Sequence, residues 1–261
     1  MITKETKKEE PDFDKEEIHP EIRREVSMEI SMEGIVKWFP PDHRALNGLN
    51  LSISLGETVQ ILGYAGSGKS LLADILTGRT LPEEGRVCFR GQDYARMKPE
   101  ERAHLRWKYM ALLRAHPGFL PALSMRENTA LPLLLSGERR RAALSRAQET
   151  MEAFGVEIAA DRTPEELSPM ERCRCQLARA AIREPELIIA DGFPAGLGAK
   201  AREEKEVWQL LKALQMQKNG TLLILVDRRN DAFPADRMLF LRSGRLWEEH
   251  GQEENTYEPN P

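Results

Sequence analysis

The chain has 261 residues, 41% of them hydrophobic and 31% charged, with a formal net charge of −4. That length carries one large α/β domain, or a core with a subdomain, and is ample for a buried core. The acidic balance gives no global basic field for nucleic acid, no apolar run approaches the ~20 residues that span a bilayer, the charged N-terminus lacks a signal-peptide stretch, and three cysteines argue for a reducing compartment.

Residues 1–27 are dense in Lys and Glu and poor in core-forming side chains. They read as a disordered tail or a solvated helix, with partner binding as the alternative. Met32 to Trp38 and Leu49 to Leu55 alternate as strands do, and Pro40-Pro41-Asp42 breaks the chain between them. Thr58-Val59-Gln60-Ile61-Leu62 reads as a buried strand, and Leu71 to Leu76 as a helix. Between them stands Gly63-Tyr64-Ala65-Gly66-Ser67-Gly68-Lys69-Ser70, which fits G-x-x-x-x-G-K-[ST] without substitution. Backbone N–H groups of such a loop cradle phosphates, Lys69 reaches the β/γ oxygens, and the Ser70 hydroxyl holds Mg²⁺. The nucleotide-binding candidates therefore run from Gly63 through Ser70 to Leu71.

Leu81 to Gly85 forms a turn and Arg86 to Arg90 a strand. From about Lys98 to Glu186 the pattern is mostly helical, with stops at Pro117-Gly118, Pro121 and Pro164. Cys173 and Cys175 sit two apart in that helical pattern, a spacing that disfavours a shared metal. Leu187 to Asp191 is a short buried strand, Lys200 to Gln217 a long charged helix, and Leu222 to Val226 another buried strand. Arg237 to Leu241, Ser243-Gly244 and Arg245-Leu246-Trp247 form a closing hairpin, and residues 251–261 a polar, disordered tail. Buried apolar strands alternating with helices give an α/β fold with a largely parallel sheet.

Taken in order, these segments resemble the ATP-binding cassette of ABC transporters over about Ile30 to Trp247. The stretch from Leu105 through Leu120-Pro121, and then Glu127 to Leu135, is similar to the lipoprotein-releasing and macrolide-exporter branch. The resemblance implies a P-loop NTPase fold: a RecA-like mixed-sheet core, an antiparallel β subdomain and an inserted α-helical subdomain. It implies a cassette domain over residues 28–250, with the helical subdomain at about 98–180. ATP and Mg²⁺ are the implied cofactors. A transmembrane permease and a second cassette, the same chain or a different one, are the implied partners. The implied location is cytoplasmic, peripheral at the inner face of the cell membrane, with membrane contact only through the permease. Leu123, Leu131, Leu133 and Leu134 either line the groove that receives the permease or belong to the core, and Arg139-Arg140-Arg141 is a basic run at a helix start that reads as a solvated face, with contact to the permease or to anionic headgroups as the alternative.

The family's adenine-stacking aromatic falls on Phe39 or its neighbour Trp38, with a core role for one of them as the alternative. The signature that closes on the opposite subunit's γ-phosphate reads Leu167-Ser168-Pro169-Met170-Glu171-Arg172: Ser168 and Glu171 remain, and both glycines are lost. Pro169 brings no N–H and Met170 hinders close backbone approach. Asp191 ends the Walker B strand as a metal ligand beside Ser70, but Gly192 stands where working members carry a glutamate. The Q-loop glutamine falls on Ala115, the D-loop aspartate on Gly198, and the H-loop histidine on Arg228. What remains holds phosphate and metal; what is missing positions water, and the two tasks are separable. The expectation is a nucleotide-binding subunit that hydrolyses slowly or not at all, with Asp227 as the one nearby carboxylate that could be recruited. An active ATPase with compensating residues and a non-enzymatic, ATP-dependent scaffold are the alternatives.

Overall fold

The computed structural model describes residues 28–39, 43–195, 201–229 and 234–248. The two charged tails, Gly198 and the Phe39 side chain lie outside the described residues.

Two sheets organise the chain. A four-stranded antiparallel sheet has the order β2-β1-β4-β5, built from β1 (Met28–Phe39), β2 (His43–Ser54), β4 (Glu84–Phe89) and β5 (Gln92–Asp93). A six-stranded sheet has the order β10-β9-β3-β8-β7-β6, from β3 (Thr58–Leu62), β6 (Met110–Arg114), β7 (Leu187–Asp191), β8 (Thr221–Val226), β9 (Arg237–Arg242) and β10 (Arg245–Glu248). All its neighbours run parallel except β9 and β10. That pair forms the expected hairpin, with Ser243 at φ 51° and Gly244 at φ 72°, the doubly positive pair a tight two-residue turn requires.

The parallel strands read as continuous apolar runs because both their faces are covered. Val59, Ile61, Leu187, Ile189, Leu223 and Leu225 face a core shared with the antiparallel sheet and with α1 (Lys69–Leu76). Ile188, Ala190, Leu222 and Ile224 face a second core with α5 (Pro169–Ala181) and α6 (Ala201–Gln217). Between β5 and β6 runs α2 (Pro99–Tyr109). A third, small cluster holds α3 (Met125–Leu135) against α4 (Arg140–Ala153) through Ala130, Leu133, Ala143, Ala147 and Ile182.

Three expectations change. The stretch from 98 to 186 is not helical throughout, because Met110–Arg114 is a strand at the edge of the parallel sheet. A five-residue apolar run carries no periodicity that separates strand from helix, and pairing with β7 decides it. β1 and β2 are each 12 residues long, longer than their alternating segments, because they pair with one another along their length. Leu133 belongs to the third core and is buried, so it is not open to line a groove; Leu123, Leu131 and Leu134 are half-buried.

Candidate functional site

The site sits at the carboxyl edge of the parallel sheet, where β3 ends and α1 begins. Gly68 is the N-cap of α1 at φ 101°, a left-handed conformation that suits glycine. A Cβ there would stand 3.2 Å from the Ala45 carbonyl oxygen, so the loop also passes close to β2. The cap has no side-chain hydrogen bond, and the first turn of α1 has no acidic residue. The amides of that turn and the positive end of the helix dipole are left for an anion. Ser67 Oγ is buried without a partner, a donor whose desolvation goes uncompensated until a bound group meets it.

Lys69 is nearly buried. Its Nζ donates to the carbonyl oxygens of Gly63 and Tyr64, the latter at 2.9 Å, and lies 2.8 Å from Asp227 Oδ1. The ammonium is thus held at the loop by two carbonyls and one exposed carboxylate. Gly63 is buried; Tyr64, Ala65 and Gly66 are exposed; Ser67, Gly68 and Leu71 are half-buried. Trp38 pairs with Arg44 across β1 and β2, and the Arg44 guanidinium lies 4.4 Å from the Trp38 ring centroid. The ring is half-buried and, among the described residues, joins none of the three core clusters, so it is not a core aromatic.

Ser70 Oγ donates to Asp191 Oδ1 at 3.1 Å across 121 residues of sequence. Burial raises the Asp191 carboxyl above the ordinary aspartate value, opposed by the Ser70 hydrogen bond and the Arg114 guanidinium. A hydroxyl and a carboxylate side by side at a phosphate loop fit Mg²⁺, which takes few protein ligands and completes its shell with phosphate oxygens and water. Among the described residues no group of three acidic, His or Cys side chains gathers as an all-protein metal cage.

The positions beyond Asp191 carry little chemistry of their own. Gly192 leaves the strand at φ 64°, with its N–H donating to the Leu225 carbonyl at 3.0 Å. A Cβ at Gly192 would meet the Ala115 Cβ at 3.8 Å. Gly192 and Ala115 are therefore neighbours, close enough that an added Cβ would be in ordinary van der Waals contact. Arg228 is exposed. Arg114, immediately before Ala115, reaches Asp74 at 2.6 Å and Asp191 at 3.6 Å. The sequence alone does not bring out Arg114 or Asp74, because their proximity to Asp191 depends on strand register and helix placement.

Ser168 and Glu171 stand apart from this cluster, at the start of α5. They cap their own helix: Ser168 Oγ donates to Glu171 Oε2 at 2.8 Å and accepts from the Glu171 N–H at 3.3 Å. Pro169 takes the first helical position, where its missing N–H leaves no intrahelical bond unmade. Glu171 also pairs with Arg162 at 2.9 Å.

A phosphate loop between a central parallel strand and an uncapped helix, with a hydroxyl and a carboxylate beside it, defines a P-loop nucleotide-binding protein. The family model described as ABC transporter matches residues 46–193, and the chain belongs to that family of ATP-binding cassettes. It is 33% identical over 202 residues to the lipoprotein-releasing system ATP-binding protein LolD of Xanthomonas axonopodis pv. citri, covering 77% of this chain and 82% of that protein. The LolD protein of Xanthomonas campestris pv. campestris is similar at 33% identity over 77% of this chain and 84% of its own length. Among solved structures, the dimeric post-hydrolysis state of the ATP-binding cassette MJ0796 bound to ADP and Pi superposes with a TM-score of 0.76 at 25% identity, over 85% of this chain and all of that one. The cassette cbiO1 of Clostridium perfringens shares the fold at a TM-score of 0.71 and 22% identity, over 85% of this chain and 87% of its own. No helix among the described residues is long and apolar enough to cross a membrane.

Proposed function

We propose that this ATP-binding subunit of an ABC transporter holds Mg-ATP but hydrolyses it slowly or not at all, and that it clamps or regulates a permease or a partner ATPase. The observation that carries the reading is the pairing of Gly192 with Ala115 beside an otherwise equipped Ser70–Asp191 pair. Lys69 and the α1 amides bind phosphate; neither adjacent position offers a group to orient or deprotonate water. General-base assistance is commonly worth about 10²–10⁴ in rate. Nucleotide held without turnover keeps its binding energy for closing an interface. The self-capped start of α5 adds support, because Ser168 and Glu171 already satisfy each other and Pro169 brings no donor to a partner's phosphate.

Likeness to a lipoprotein-releasing ATP-binding protein and to a dimeric cassette supports a permease and a second cassette as partners. Paired with a competent relative, this chain would clamp one ATP at its own loop while the other site turns over. Paired with itself, it would form a static or regulatory clamp. Native mass spectrometry of the complex distinguishes the two.

The deciding experiment is nucleotide binding and ATPase turnover of purified protein, alone and with its partner. The expected result is saturable ATP binding, abolished by Lys69→Ala, with turnover at least ~100-fold below a relative that carries the glutamate. Turnover at an ordinary transporter rate that disappears with Lys69→Ala would reject the proposal. One observation favours a second reading, the active ATPase: Asp227 stands 2.8 Å from the ammonium that meets the phosphates. If Asp227 serves as a surrogate base, Asp227→Asn removes measurable turnover while ATP binding persists.

A further inference from the structure

Arg114 ends β6 and Asp191 ends β7, and the parallel ladder pairs the two residues directly. Paired residues of neighbouring strands project to the same face, so this register sets the guanidinium beside the carboxylate. Arg114 Nη2 donates to Asp74 Oδ1 at 2.6 Å, and Asp74 stands on α1, the helix that starts at the phosphate loop. Arg114 Nε lies 3.6 Å from Asp191 Oδ2, buried, with no hydrogen-bond partner. The Arg114 carbonyl accepts from Gln176 Nε2 on α5 at 3.0 Å. Arg114 is therefore held at both ends, by its backbone carbonyl and by Asp74, with its Nε 3.6 Å from the one buried carboxylate of the site.

A divalent cation that binds Asp191 has to approach a carboxylate already facing a fixed unit charge, and it has to tolerate that charge at close range. The same guanidinium, always protonated and rich in donors, suits phosphate oxygens without a metal between them. We propose that Arg114 is a resident cation of this nucleotide site, shared between Asp74 and Asp191 and remaining there beside any Mg²⁺ that arrives with ATP, so that nucleotide binding depends only weakly on Mg²⁺. The inference rests on the reading that the loop binds nucleotide, and deepens it by naming the counter-charge. It is also consistent with a site that holds rather than cleaves: binding needs charge balance, whereas phosphoryl transfer draws on the metal to stabilise charge developing on the leaving and transferring oxygens.

The test is a fluorescence titration of the full chain with a ribose-labelled ATP, in excess Mg²⁺ and in excess EDTA. For the unaltered chain the two Kd values are expected to agree within about fivefold. Arg114→Gln and Arg114→Met should bind in Mg²⁺ but lose more than about tenfold in EDTA, and Arg114→Lys should restore part of the loss. A loss of more than about tenfold in EDTA by the unaltered chain overturns the inference while leaving nucleotide binding intact. Gln and Met variants as insensitive to EDTA as the parent overturn it as well. No binding by the unaltered chain in either condition removes the nucleotide-binding reading, and this inference with it. Near-UV circular dichroism shows whether the variants are folded; if they are not, the comparison on the unaltered chain decides alone.

Discussion

At Gly192 the backbone takes φ 64°, and the nearest atom to an added Cβ is the Ala115 Cβ at 3.8 Å. The two numbers pull apart. An added Cβ meets Ala115 only in ordinary van der Waals contact, but an L-residue in the left-handed region costs roughly 1–2 kcal/mol. Gly192→Glu is therefore expected to lower stability by about that amount in urea unfolding. Combined with Ala115→Gln, it is expected to raise ATPase turnover at least ~10-fold over the parent, the lower part of what a positioned base contributes. A double variant that folds, binds ATP and gains no turnover would show that these two positions are not what limits hydrolysis. Lys69 belongs to the same scale: bound phosphate has to replace the Asp227 carboxylate on its ammonium, and Asp227 is exposed enough to give way.

The element that ties the site together is α5. Gln176 and Arg179 lie at i and i+3 on one face of α5, and Arg183 follows in the turn just after its end. Gln176 donates to the Arg114 carbonyl, Arg179 to the carbonyls of Pro117 and Gly118, and Arg183 to those of Arg106 and Met110. The guanidinium of Arg179 also covers the Phe119 ring, 4.5 Å from its centroid. Burial lowers both arginines to about 10, so their charge is retained at neutral pH while their donors are committed to backbone. This face holds β6 and the loop after it against the helix that starts at Ser168. The cap at that start gives the prediction for this scale. Ser168→Ala is expected to cost about 1 kcal/mol, read as a lower Tm. The Ser168 backbone N–H, first among several partners, holds the Glu171 carboxyl below the usual carboxylate range. A depressed carboxylate contributes stability that is complete above its unfolded value and lost as pH falls through its folded value. The Tm gap between the parent and Glu171→Gln should accordingly be widest near neutrality and close in acid; a gap independent of pH would remove the charged cap from the account.

For the molecule as a whole, the parallel sheet divides two cores. All three cysteines are buried within this arrangement, two of them on α5 against the second core. Burial pushes the Cys173 and Cys175 thiols up to about 12, far from the thiolate form at neutral pH. A disulfide-exchange reagent should leave both unmodified in the native protein and modify all three thiols after denaturation. Rapid native labelling of Cys173 or Cys175, located by peptide mapping, would mean that α5 opens away from the sheet far more often than a packed core allows.

Much of this was legible along the chain. The phosphate loop, its flanking strand and helix, and the closing hairpin are read from short runs, because loop chemistry and turn dihedrals are local properties. The strand at Met110–Arg114 was not legible, since a five-residue apolar run suits either element until β7 pairs with it. Nor was the burial of Leu133, which needs α4 and Ile182 as neighbours. The ion pairs of Lys69 with Asp227 and of Arg114 with Asp74 and Asp191 join residues far apart in sequence. The chain by itself determined which side chains are present to bind or cleave a nucleotide. Only the tertiary structure decided which charges face one another, because that follows from the order and register of the parallel strands, and these are set by how two apolar faces are covered at once.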